Sequence, residues 1–141
     1  MTVPVLVLLG FTAWTLMTLF VGTGIYRWGM ILTGRASISE WRTDIPQGNE
    51  FYRRATRAHM NCVENLPVYT AIVVATLAIG LRSAVMDHLC IAMLAARIGQ
   101  SSIHIAFPIS NVSVSLRFTL FLVQLLCMIA MGVEIILNAK V

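Results

Sequence analysis

The sequence predicts an all-α integral membrane protein, a four-helix bundle forming one domain over residues 1–141, and three observations carry that prediction. Of the 141 residues, 58% are hydrophobic and only 11% are charged, where a soluble domain carries roughly a quarter charged residues. Mean hydropathy is +0.83. The apolar residues gather in runs long enough for a helix to cross a bilayer, which takes about 20 residues. The formal net charge of +4 does not point to nucleic acid. A nucleic-acid binder concentrates its basic residues on a hydrated face, whereas these interrupt or flank apolar runs, so membrane lipids are the expected surroundings.

The first helix is placed at about residues 3–26, because no charged side chain occurs from Met1 to Tyr26. No Lys or Arg precedes this run, as one would in a signal peptide, so it is expected to be retained as a transmembrane helix. Residues 27–59 form a hydrophilic, basic loop. Arg27, Arg35, Arg42, Arg53, Arg54 and Arg57 stand there against Glu40, Asp44 and Glu50, with Pro46 and Gly48 marking a turn. The second helix is placed at 50–81 with Asn49 as its N-cap, a length of about 48 Å. That exceeds a hydrocarbon core of about 30 Å, so its first turns, with their arginines, stand in the headgroup or water layer.

The third helix, about 84–107, is the least apolar, with Asp87, His88, Arg97 and His104 inside it. A central charge costs a few kcal/mol in lipid even on the lenient insertion scale, so this helix needs partners. Pro108, Ser110 and Asn111 read as its end, and the fourth helix follows at about 116–137 with Gln124 and Glu134 as polar members. The basic loop and Arg117 outweigh Arg82 and Lys140 on the opposite side. The positive-inside rule then puts loop 27–59 in the cytosol and both termini across the membrane.

Cys62, Cys90 and Cys127 lie in or beside apolar stretches and read as reduced, buried residues. His59, His88 and His104 lack metal-ligand spacing, so no metal is expected. Along the second helix Arg54, Arg57, Asn61 and Glu64 recur at steps of three, four and three and share a face. Pro67 removes the donor for the Val63 carbonyl, leaving an extra acceptor beside Glu64. Arg97, Gln100 and His104 form a second polar stripe on the third helix. If the two stripes face each other, a cavity opens near the cytosolic boundary, suited to an anion that carries one ammonium. Arg53 reads as an anchor to lipid phosphates, His59 as a structural residue against the loop, and Glu134 as an interfacial carboxylate or intersubunit partner.

The run Arg54 to Asn65, R-A-T-R-A-H-M-N-C-V-E-N, followed by Leu66 and Pro67, resembles the second-helix signature R-x-x-R-A-H-x-N-x-x-E of the MAPEG family, the membrane-associated proteins in eicosanoid and glutathione metabolism. The four-helix layout, the basic first loop and the arginine in the third helix extend the resemblance over the whole chain. It implies a homotrimer that binds glutathione, as co-substrate, between neighbouring subunits near the cytosolic side. Matched position by position, the resemblance assigns glutathione contacts to Arg27, Arg54, Arg57, Asn61, Glu64 and Arg97. Gln100 and His104 stand where several animal members have histidine and tyrosine, and both can still hydrogen-bond. Arg117 is the candidate for the thiolate-stabilising arginine, displaced by one residue when the chains are aligned on Gln124. Phe121 stands where an aromatic hydroxyl would be expected.

The resemblance therefore implies a glutathione transferase or peroxidase acting on hydrophobic electrophiles through an arginine-stabilised thiolate. A non-catalytic lipid-binding or scaffold member of the same family is the alternative, and a small proton-coupled exporter is a more distant one. Retention of Arg57, Asn61 and Glu64 argues against the former. The uncharged first helix and the arginines around Glu64 argue against the latter.

Overall fold

The computed structural model describes residues 1–41 and 48–139. Arg42, Asp44, Pro46 and Lys140 lie outside the described residues. Among the described residues there are four rods long and apolar enough to cross a membrane, Val3–Leu32, Glu50–Ala78, Ala84–Ala106 and Asn111–Asn138.

The first rod is composite. Helix α1 (Val3–Met17) passes into a π-helical stretch, Thr18–Gly24, and continues as α2 (Ile25–Leu32). It therefore runs six residues beyond the expected end at 26, because neither Arg27 nor the aromatics beside it break a helix. The rod stops only where Gly34 adopts φ +68°. Its amide donates to the Ile31 carbonyl and that of Arg35 to Met30, the double closure that a left-handed glycine permits. The widened turn lies where helix α3 (Glu50–Ala78) comes closest. A Cβ on Gly22 would sit 2.8 Å from Cβ of Ala55, so only glycine admits that approach. His59 of α3 sets its Nδ1 3.2 Å from the Thr15 carbonyl, inserting a side chain into the backbone ladder where the helix changes pitch. The expectation that His59 packs against the loop is corrected: its partner is the first rod.

Asn49 caps α3 by accepting from the Tyr52 amide at 2.8 Å. The helix runs unbroken through Pro67. It ends at Ala78, not 81, because Gly80 takes φ +65° and repeats the Schellman closure, with Leu81 donating to Thr76 and Gly80 to Leu77. Helix α4 (Ala84–Ala106) starts from a Ser83 cap. Helix α5 (Asn111–Asn138) begins five residues before the expected start at 116. Ser110 and Ser113 bond reciprocally, side chain to backbone at 3.0 and 3.1 Å, in the geometry of a capping box. Ser110 and Asn111 thus open the fourth rod rather than close the third.

The core sits among α1, α3, α4 and α5, built on Phe11, Tyr69, Val73, Met86, Met93, Met128 and Met131. Tyr69 satisfies its hydroxyl by donating to the Pro4 carbonyl at 3.1 Å. All three cysteines are free and buried, as expected. At the end of the bundle opposite the basic loop, Ser83 donates to Glu134 at 2.8 Å. Glu134 therefore has a partner within its own chain. Only 22–33% of the most apolar window of each span is buried within the protomer, which leaves broad faces for lipid or other protein.

Candidate functional site

At the basic end, the first turns of α3 and the last turn of α4 enclose a cavity of about 320 Å³, lined by Glu50, Arg53, Arg54, Arg57, His104, Pro108 and Ile109. Spacing explains the cationic wall: residues 53, 54 and 57 lie within one turn of each other, so three guanidinium groups face a common volume. Arg54 is held from both sides. Its Nε donates to the Ile105 carbonyl at 3.2 Å and its Nη1 pairs with Glu50 at 3.5 Å. The Ile105 carbonyl is one of the last four of α4, which have no partner in their own helix. Arg53, read from the sequence as a lipid anchor, is a wall of this cavity.

The two polar stripes do not face each other along their length. On α3, Arg57 and Glu64 are exposed on the outside of the protomer, and Asn61 is half-buried beside them. The Glu64 carboxylate has no hydrogen-bond or ion-pair partner among the described residues. On α4 only His104 reaches the cavity. Arg97 and Gln100 turn inward, 1% and 7% exposed, toward α1 and α5. The Arg97 guanidinium lies 5.7 Å from the centre of the Phe11 ring, and Nη1 donates to Oε1 of Gln100 at 2.9 Å.

Arg27 stands apart from the cavity, within an aromatic box absent from the sequence reading. Its Nε donates to the Tyr52 hydroxyl, and its guanidinium lies 5.4 Å from the Trp41 ring centre and 5.6 Å from that of Tyr52. Tyr26 stacks on Tyr52 at 5.0 Å, with its hydroxyl accepting from the Asn49 amide. The box ties the end of the first rod to the cap of α3. Three aromatics near otherwise polar loop sequence were the signal that could have revealed it.

Arg117, on the first turns of α5, is half-buried, and its Nε donates to the Ser113 carbonyl at 3.1 Å. Nε is thereby occupied by the helix itself, and the two Nη nitrogens make no hydrogen bond among the described residues. Gln124 is fully buried and donates to both Gln100 and the Leu120 carbonyl. Phe121 is exposed on the flank of α5. Among the described residues no three His, Cys, Asp or Glu side chains gather as a metal site would require.

Chemically, the arrangement offers an arginine-rich recess for anionic groups, continued along α3 by an amide and a carboxylate on an outward face. Comparison with curated proteins and with solved structures returned no match. The model of the MAPEG family matches residues 5–137, nearly the whole chain. The four apolar rods and the polar line along α3 thus have a family context, and the chain belongs to the MAPEG family.

Proposed function

We propose that this protein is a membrane-embedded glutathione transferase or peroxidase, assembled as a homotrimer, which acts on hydrophobic electrophiles. One observation carries the reading. Arg57, Asn61 and Glu64 run along an outward face of α3 to about 21 Å from its N-terminus, at 1.5 Å per residue. A carboxylate at that depth costs a few kcal/mol against lipid, so the face is stable only when protein covers it. A neighbouring protomer provides that cover, and the covered face becomes a crevice lined by cations, an amide and a carboxylate. Glutathione has the matching charges, two carboxylates and one ammonium.

In this reading, Arg54, Arg57 and His104 receive the carboxylates in the 320 Å³ cavity, using the forked geometry that lysine lacks. Glu64 takes the ammonium and Asn61 orients an amide. Arg27, held rigid in its aromatic box, supplies a further cation from the neighbouring protomer. A free thiol with a pKa near 8.5 is only a few per cent ionised at neutral pH. A fixed cation within about 4–6 Å favours the thiolate by about one to three pH units, and Arg117 is the candidate. The thiolate then attacks an electrophile delivered from the bilayer. In conjugation a carbon–sulfur bond forms as the leaving group departs or an epoxide opens. In peroxide reduction the thiolate takes the terminal oxygen as the O–O bond breaks and the alcohol leaves, and a second glutathione thiol then attacks the sulfenic acid, forming the disulfide and releasing water. The basic end of the bundle faces the cytosol, following the positive-inside rule.

Calorimetric titration of the purified protein with glutathione, together with native mass spectrometry from detergent, tests the reading. Saturable binding to a species of three chains is the expected result. A glutathione-blind protein, or a monomer that binds nothing, overturns it.

A further inference from the structure

Among the described residues Arg97 is the largest fully buried side chain, 1% exposed, and no carboxylate there pairs with it. Its guanidinium lies inside the single chain, whereas Arg57 and Glu64 are exposed. The groups around it form a chain of defined direction. Nη1 of Arg97 donates to Oε1 of Gln100 at 2.9 Å. Nε2 of Gln124 donates to the same oxygen at 3.1 Å and to the Leu120 carbonyl at 2.9 Å. Nε2 of Gln100 then donates to the Arg117 carbonyl at 3.3 Å.

The order of these bonds is forced. A guanidinium has donors only, so the end of the Gln100 amide that faces it must be the oxygen. The amide NH2 is thereby turned toward α5, where the Arg117 carbonyl accepts. With an apolar residue at 97 the Gln100 oxygen loses one of its two donors, and its orientation then rests on Gln124 and the Arg117 carbonyl alone; a flipped amide would set oxygen against oxygen. Residue 117 is consequently tethered twice: its carbonyl from α4 through Gln100, and its Nε by the Ser113 carbonyl one turn back.

We propose that Arg97 and Gln100 are positioning residues for Arg117, a hydrogen-bond polarity lock that sets the rotation of α5 and so aims the guanidinium, rather than direct clamps on the ligand carboxylates. This rests on the reading of Arg117 as the cation beside the glutathione sulfur. The buried Arg97 charge, whose Nε and Nη2 have no partner among the described residues, then serves to reinforce one amide orientation. Lysine, which also only donates, preserves the lock, whereas methionine weakens it by leaving Gln124 as the sole donor to the Gln100 oxygen.

The test uses the full chain in detergent or lipid nanodiscs, as wild type, R97K, R97M and Q100E. Q100E keeps the volume and the Arg97 contact but replaces the donor toward the Arg117 carbonyl with an acceptor, so it serves if R97M fails to fold. Two measurements are made. The first compares the glutathione Kd with the pH midpoint of glutathione thiolate absorbance. R97M and Q100E are expected to raise the midpoint by about one pH unit, with Kd within about threefold of wild type and R97K restoring the wild-type midpoint. A Kd weakened by about tenfold or more with the midpoint unmoved identifies a direct clamp and overturns the proposal. The second is hydrogen exchange without glutathione: R97M and Q100E speed exchange in the α5 segment 113–121 relative to 126–137. Equal exchange overturns the lock. Wild type that binds no glutathione removes the proposed function, and the exchange result then decides the lock by itself.

Discussion

Glu64 and Arg97 show how differently two charged residues in neighbouring helices can be used. Both lie in helices apolar enough to cross a membrane, yet Glu64 is exposed without a partner among the described residues, and Arg97 is sealed inside with an amide for company. A carboxylate with no direct partner among the described residues, on an exposed face, is free to take a ligand. Its removal should spare the fold and reach only the ligand. Glu64→Gln is expected to weaken glutathione binding by about tenfold or more, the value of a charge-assisted hydrogen bond of about 1.5–3 kcal/mol, with an unchanged thermal midpoint. Calorimetry beside a thermal melt checks both halves, and a loss of stability equal to the loss of binding would place Glu64 in the fold instead.

At the scale of elements, the junctions are set by a few capping groups. Ser110 opens α5 by accepting from the Ser113 amide, while the Ser113 hydroxyl both receives the Ser110 amide and donates to the Pro108 carbonyl at 2.8 Å. This small network lies at the α4–α5 turn, next to the cavity wall formed by His104, Pro108 and Ile109. Ser110→Ala removes the cap and should cost about 1 kcal/mol, read as a lower thermal midpoint in detergent. Ser110→Asp, which still accepts from the Ser113 amide, should recover most of it. The cap residue is visible in the sequence, but Ser, Asn and Pro serve equally to end one helix or to begin the next. The neighbouring apolar run misleads as well: residues 111–115 carry three polar side chains, so periodicity places the start too late. The end of α3 shows the reverse, since Gly80 is the reason Leu81 lies outside the helix and stands plainly in the chain.

For the whole molecule, the proposed chemistry predicts a definite pH dependence. A cation next to the sulfur stabilises the thiolate, so the bound thiol ionises at a lower pH than the free one. Turnover is therefore constant above that midpoint and falls as pH drops through it. Arg117→Ala should move the midpoint up toward the free-thiol value of about 8.5, with trimer assembly and glutathione binding retained. A stopped-flow or absorbance titration of thiolate against pH checks this, and an unmoved midpoint would remove Arg117 from the mechanism.

Four apolar rods, the basic end and the line Arg57, Asn61, Glu64 were legible in the sequence because each depends on local spacing: hydrophobic run length, charge clustering and the 3.6-residue period of a helix. The inward turn of Arg97 and Gln100 was not legible. A helical face is defined by spacing, but which neighbour that face meets depends on how the rods pack, and the α4 stripe divides between α5 and the cavity. The aromatic box around Arg27 joins residues 26, 41 and 52 across a loop, and Gln124 meets Gln100 across two helices. Sequence period determines what lies together on one helix. Only close packing decides what lies opposite it, because contacts between helices arise from shape and polarity that distant parts of the chain bring to the same place.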